Sequence, residues 1–344
     1  MQKEITMKRK IAPVILLFGL ALLSQRCVTT ENFDTRIYVP EEGGVTFTKI
    51  TEESSDQLIV ANVKMNYSLR RLSWWANPYF AITNDGKTLA YISSRNDKSN
   101  IFVKSLVNRG GAQQRTFQGG VQDVAFSPDG TTICFTKRNE SYSNAYATIY
   151  ENLIYTTSAT QGSIVRQIST PNSKDFGAKY STDGTKLFFS RLDGNSYTIW
   201  SHEIDNGTLS NYCMGTSPWP VNDEEFLCVR ENSTGNCDIW LVNYVKGSES
   251  LVLGQDGRSF TTPSLSPDGK WILCVSNTKG TNNTNENLDV YVVRSDGSQL
   301  TQLTYHPGND LSPVWSPDGK SIYFLSQRGS AKGEYNIWKM NFNL

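Results

Sequence analysis

The chain has 344 residues, 33 Lys and Arg against 33 Asp and Glu, and an aromatic share of 11 %. A formal net charge of zero gives no electrostatic footprint for nucleic acid or another polyanion. The length suits two ordinary domains or one closed all-β fold.

The chain opens with Lys8-Arg9-Lys10, followed by an almost unbroken apolar run from Ile11 to Leu23. That run is too short to span a bilayer comfortably and fits the apolar region of a secretory leader. Cys27 follows at once, so residues 1–27 resemble a bacterial lipoprotein signal ending at Cys27, the residue that such proteins lipidate. Arg26 departs from the small residue usual at that place. Residues 28–67 read as a linker with a short β-hairpin, Val45 to Thr51 and Gln57 to Val63, expected to pack on the side or one face of the body that residues 68–344 build.

From residue 68 onward one element recurs. It reads Phe126-Ser127-Pro128-Asp129-Gly130, Leu265-Ser266-Pro267-Asp268-Gly269 and Trp315-Ser316-Pro317-Asp318-Gly319. Weaker copies are Ile82-Thr83-Asn84-Asp85-Gly86 and Tyr180-Ser181-Thr182-Asp183-Gly184, with a decayed one at Val221-Asn222-Asp223. The aspartates fall 44, 54, 40, 45 and 50 residues apart, a period that means stacked supersecondary units.

Each unit divides into four strands. The first ends in the aromatic-Ser-Pro element, and Asp-Gly supplies the reversal. The second is apolar on both faces, as in Leu187-Phe188-Phe189 and Ile322-Tyr323-Phe324, which suits a strand covered on both sides. The third carries a polar residue, a β-branched one and an aromatic: Asn100-Ile101-Phe102, Thr198-Ile199-Trp200, Asp238-Ile239-Trp240, Asp289-Val290-Tyr291 and Asn336-Ile337-Trp338. The fourth reads Arg115-Thr116-Phe117, Gln167-Ile168-Ser169, Asn211-Tyr212-Cys213, Leu251-Val252-Leu253 and Gln302-Leu303-Thr304. The last unit lacks a fourth strand. Arg70-Arg71-Leu72-Ser73 is expected to supply it by pairing residues 68–73 with 335–341, closing a ring without a free edge.

The expected fold is therefore all-β, a six-bladed β-propeller of four-stranded antiparallel blades over residues 68–344, closed by an N-terminal strand. Seven blades, with the hairpin as a decayed first blade, is the alternative. The Ser-Pro-Asp-Gly and Ile-Trp/Tyr elements resemble those of the TolB-like propellers, without the α/β domain that TolB itself carries. That resemblance implies a non-catalytic module that contacts envelope proteins, including a peptidoglycan-associated lipoprotein.

Catalytic signatures are missing from the sequence. It has no Gly-x-Ser-x-Gly, no phosphate-binding glycine loop and no Cys-x-x-Cys, and only two histidines. His202 is expected at the surface, and His306 in the loop Tyr305-His306-Pro307-Gly308-Asn309-Asp310. The motif aspartates serve turn geometry. Cys134, Cys228 and Cys274 occupy core positions, and Cys213 with Cys237 is the one pair that offers a disulfide, although their strand register does not set them side by side.

Recognition is expected where the repeats differ. Asn77, Asp123, Asp175 and Asp310 precede the motifs and fall where inner strands begin, forming an acidic rim at one channel mouth with His306 nearby. A cation such as calcium at that mouth is left open; no other cofactor is expected. The insertion with Tyr142, Tyr146 and Tyr150 and the Asn-rich loop Thr278 to Asn287 share that face. The sequence thus reads as an exported, lipid-anchored, monomeric module of a bacterial cell envelope, periplasmic or surface-facing. Its partner would be an envelope protein or glycan, with no nucleic acid and no membrane contact beyond the anchor. The alternative is a carbohydrate-active enzyme or sugar-binding accessory protein with a channel-mouth site.

Overall fold

The computed structural model describes residues 36–38, 45–52, 56–58, 78–95, 98–108, 110–143, 148–161, 165–278, 287–330 and 334–342. The leader with Cys27, the stretch 68–73, Asn77, Tyr146 and most of the Asn-rich loop lie outside them, and of Tyr142 only the backbone is described.

Two strands precede the repeats, β1 (Arg36–Tyr38) and β2 (Thr46–Lys49). Blade one holds β3 (Phe80–Ile82), β4 (Thr88–Ser93), β5 (Asn100–Ser105) and β6 (Gln113–Gln114). Blade two holds β7 (Ala125–Phe126), β8 (Thr132–Ser143), β9 (Thr148–Ser158) and β10 (Val165–Gln167). Blade three holds β11 (Asp175–Tyr180), β12 (Lys186–Asp193), β13 (Ser196–Glu203) and β14 (Leu209–Met214). Blade four holds β15 (Thr216–Pro220), β16 (Glu225–Glu231), β17 (Cys237–Asn243) and β18 (Ser248–Leu253). Blade five holds β19 (Phe260–Leu265), β20 (Trp271–Thr278), β21 (Asn287–Arg294) and β22 (Thr301–Gln302). Blade six holds β23 (Asp310–Trp315), β24 (Ser321–Ser326) and β25 (Asn336–Asn341). The described strands form six antiparallel sheets, so the seven-bladed alternative falls.

The ring is closed by an N-terminal strand, but not the expected one. β2 pairs with β25 through Phe47↔Met340, Thr48↔Lys339 and Lys49↔Trp338, taking the place assigned to residues 68–73. β1 continues this sheet by pairing with β2, so the hairpin joins 36–38 to 46–49 and lies within the ring, not on its side.

A recurring hydrogen-bond device fixes this strand in its place. In blade one, Thr116 Oγ1 accepts the Ile101 N–H and donates to Asn100 Oδ1. In blade five, Thr304 does the same for Val290 and Asp289. In blade six, Thr51 accepts the Ile337 N–H at 2.9 Å and donates to Asn336 Oδ1 at 3.1 Å. Lys49-Ile50-Thr51 thus fills the place of Gln302-Leu303-Thr304, and buried backbone groups that would otherwise lack partners are satisfied.

The chain then crosses to blade one. Asp56, 2 % exposed, accepts from the Tyr91 hydroxyl at 2.6 Å, Arg95 Nη2 at 2.9 Å and Lys104 Nζ at 3.1 Å. Residues 46–52 on the last blade and 56–58 on the first therefore clasp the two together.

The apolar core lies in the seams between blades. Leu227, Ile239 and Phe260 join blades four and five; Leu273, Val290, Phe324 and Trp338 join five and six. Because both faces of each blade are covered, the second strands are buried along their centres, and Ser321–Ser326 along its whole length. Cys134, Cys228 and Cys274 are each fully buried among these residues.

Candidate binding site at the channel mouth

The repeated motif builds its own turn. Ser127 Oγ donates to Asp129 Oδ1 at 2.5 Å and accepts the Thr132 N–H at 2.9 Å, while Asp129 accepts the Thr131 N–H at 3.0 Å. The same hydroxyl–carboxylate contact joins Thr83 to Asp85, Ser181 to Asp183, Ser266 to Asp268 and Ser316 to Asp318. These hydroxyls first, then the amide two residues on, hold the carboxyls below their ordinary value. The aspartates are thus engaged in shaping the turn.

The acidic strand starts are buried in the structure. Asp175 and Asp310 are both 0 % exposed. Asp175 receives Arg191 Nε at 2.6 Å and Nη2 at 2.9 Å; Asp310 receives Arg328 Nη2 at 2.8 Å. Asp123 accepts the Thr136 N–H at 2.7 Å and the Gly177 N–H at 2.9 Å, and burial pushes its carboxyl up. Each charge is met inside the protein, where a carboxylate needs a partner most. Among the described residues no three His, Cys, Asp or Glu side chains stand close enough to hold a metal ion.

The histidines divide. His306 lies in its loop, where its Nδ1 accepts the Gly308 N–H. His202, expected at the surface, is only 8 % exposed: it sits in β13 opposite Leu187 and Leu209, and burial depresses its pKa. The strand alternation of blade three turns it inward.

What faces the axis is a different set. The inner strands of blades three to six each carry a register shift, at Phe176/Lys179, Thr216/Trp219, Thr261/Ser264 and Leu311/Val314. At each shift one residue is left-handed: Gly177 at φ 67°, Ser217 at 55°, Thr262 at 50° and Ser312 at 50°. A bulge of this kind bends the strand and re-aims its side chains. For non-glycine residues, above all β-branched Thr262, such backbone costs about 1–3 kcal/mol each and collects at functional sites.

Ser217-Pro218, Thr262-Pro263 and Ser312-Pro313 line, with Pro78, Lys179 and Trp219, a cavity of about 30 Å³. The hydroxyls of Ser217 and Thr262 are buried and make no hydrogen bond among the described residues. Lys179 Nζ lies 4.9 Å from the Trp219 ring centroid. Burial pulls its pKa down to about 8, against the opposing pull of Cys134 and Asp123. The mouth thus offers a cation and an aromatic wall to a polar group entering along the axis. Sequence reading missed it, although Ser/Thr-Pro recurs at equivalent places in the last three inner strands.

Antiparallel pairing sets the tyrosine-bearing hairpin at the same end as the inner-strand starts. Asp175 is opposite Arg191 near the end of β12, and Phe260 is opposite Ser276 near the end of β20, so the loops between second and third strands share that face. β8 and β9 form the longest of these hairpins. Tyr150 is exposed, with the Arg138 guanidinium 3.8 Å from its ring centroid. A larger cleft, about 420 Å³, opens between blades two and three, but its lining includes Asp129, Asp183 and Gly184 of the motif turns.

A family model described as PD40, TolB beta propeller domain, matches residues 31–283. The chain belongs to the TolB β-propeller family. The Tol-Pal system protein TolB of Francisella tularensis subsp. mediasiatica is 29 % identical over 106 residues, 31 % of this chain and 23 % of that protein. The chain therefore spans under a quarter of the length of this relative. Among solved structures, a putative TolB from Agrobacterium tumefaciens superposes with TM-score 0.57 at 19 % identity, covering 78 % of this chain and 90 % of that one. An oligogalacturonate lyase from Vibrio parahaemolyticus superposes equally well, TM-score 0.57 at 15 % identity, covering 87 % and 94 %. At these identities the superpositions show the fold alone.

Proposed function

We propose that this TolB-family propeller is a non-catalytic binding module of a bacterial cell envelope, tethered by a lipid on Cys27, and that it receives a polypeptide segment of an envelope protein at the channel mouth. The observation that carries this reading is Lys179 beside Trp219 at the mouth. A half-buried ammonium in an apolar wall favours a carboxylate or a run of carbonyl oxygens. The tyrosine-bearing hairpin with Tyr142, Tyr146 and Tyr150 and the Asn-rich loop extend the contact, since tyrosines give wide contact area with a polar tip. Asp123, Asp175, Asp310 and His306 shape this face from within, and Asn77 would join them. Family membership and the name of the Tol-Pal relative support an envelope protein over a glycan.

The test is capture from the native envelope with the lipidated protein and with a Lys179→Glu, Trp219→Ala variant. One or more proteins should be recovered by the first and lost with the second. An identical set from both would place recognition elsewhere. Incorporation of a palmitate analogue, compared with Cys27→Ala, checks the tether: equal labelling would remove it.

A further inference from the structure

The seam between blades three and four holds two thiols in one packed cluster. Cys213, near the end of β14, lies against fully buried Cys228 of β16 with Phe188, Ile199 and Tyr212 around them. The chain leaving β14 passes so close that a Cβ on Gly215 would be 3.4 Å from the Cys228 sulfur and 3.5 Å from Arg230 Cγ. The two thiols belong to one packed cluster, and each shifts the titration of the other. Arg230 is anchored by Nη2 on Glu249 Oε2 at 2.6 Å, and its buried Nε donates to no oxygen or nitrogen among the described residues. The Cys213 sulfur lies beside that guanidinium.

Cys237, the partner expected for Cys213, is elsewhere. It sits opposite Glu231 at the far end of blade four, its N–H on the Ser259 hydroxyl, and both cysteines are free.

We propose that Cys213 and Cys228 form a thiol–disulfide exchange site across this seam, with a disulfide as substrate, Cys213 attacking and Cys228 resolving. The half-buried Cys213 is the reachable thiol, and Cys228 and Arg230 stabilise its thiolate. Cys228 is fully buried, pushed up by Cys213 and by burial, and unreactive until a disulfide forms beside it. In the first step the Cys213 thiolate attacks one sulfur of an external disulfide and expels a thiolate, which takes a proton. In the second, Cys228 gives its proton to water and its sulfur attacks Cys213, expelling the other half of the reagent as a thiolate that is then protonated. One disulfide is consumed, one is formed, and two thiols leave. The product ties β14 to β16 across a seam held also by packing and by the hydrogen bonds Ser217 N–H to Ser190 Oγ and Thr182 Oγ1 to Asp223 Oδ1.

The experiment incubates the full-length protein with glutathione disulfide, quenches by alkylation and maps peptides by mass. The wild type should yield a Cys213–Cys228 linked peptide and retain no glutathione at either residue. Cys228→Ser should retain glutathione on Cys213, and Cys213→Ser should leave Cys228 alkylatable only after unfolding. A wild type that keeps glutathione on Cys213 with Cys228 reduced would overturn the proposal, as would one in which both stay reduced or Cys213 links to another cysteine. Thermal melts of the serine variants confirm that they fold, and the wild-type result decides the matter without them.

Discussion

Pro317 of the last blade lies against Gly86 of the first: a Cβ on Gly86 would stand 3.6 Å from the Pro317 Cδ. The same relation joins Pro128 to Gly184 and Pro267 to Gly319. The proline of one turn therefore covers the glycine of the next, and the series continues across the point where the ring closes. The motif is a turn and also a joint between blades.

Closure itself rests on Phe47. It is fully buried, edge-on to Phe324 at 6.0 Å, with the Arg328 guanidinium 3.9 Å from its ring centroid. Phe47→Ala should cost about 3–5 kcal/mol by urea unfolding. Phe117→Ala, at a ring 58 % exposed, should change little. Equal effects would mean that β2 contributes nothing to closure.

The Asp310–Arg328 pair is buried on both sides, so removing one partner strands the other. Asp310→Asn should destabilise by about 3–5 kcal/mol. Adding Arg328→Met to that change should recover part of the loss, because the stranded charge is then gone. A double variant no better than the single one would refute this account.

The turn aspartates set an acid dependence. Their folded pKa values lie below the ordinary 3.8, so their contribution is complete above that value and is lost as pH falls through the folded one. Asp123, raised by burial, works in the opposite sense. The unfolding midpoint should therefore drop below about pH 4, and Ser266→Ala should flatten that drop. An equally steep profile in the variant would show that the hydroxyl does not hold Asp268 down.

Binding at the mouth should depend on alkali. Lys179 titrates near pH 8, so a carboxylate-bearing partner recovered by capture should bind progressively less well as pH rises from about 7 to about 9. Lys179→Gln should bind weakly and show no such slope. A slope that survives the substitution would assign it to another group.

The architecture was legible because turn chemistry repeats: Ser-Pro-Asp-Gly and the Asn-Ile-Trp type of third strand mark each blade without any long-range information. The closing strand was misplaced because two segments carry the same short pattern. Lys49-Ile50-Thr51 and Arg71-Leu72-Ser73 both read cation, aliphatic, hydroxyl. Either hydroxyl suits the device in principle, since Ser169 accepts the Ile154 N–H in blade two as Thr51 accepts that of Ile337 in blade six. The packing of Phe47 on Phe324 distinguishes the first segment, and that contact spans nearly the whole chain. The burial of Asp175 and Asp310 was not legible, because spacing places a carboxylate at a strand start but cannot say whether Arg191 or Arg328, some sixteen to eighteen residues on, turns back to meet it.

By itself, then, the sequence determined the repeat and the turns, which depend on neighbours along the chain, and left six or seven blades open. Only the tertiary structure decided which strand closes the ring, that Asp175 and Asp310 are paired with Arg191 and Arg328, that Lys179 lines the channel mouth with Trp219, and that Cys213 and Cys228 share one cluster. Each of these depends on contacts between strands, and the seams between blades are where side chains distant in sequence are pressed together and withdrawn from water.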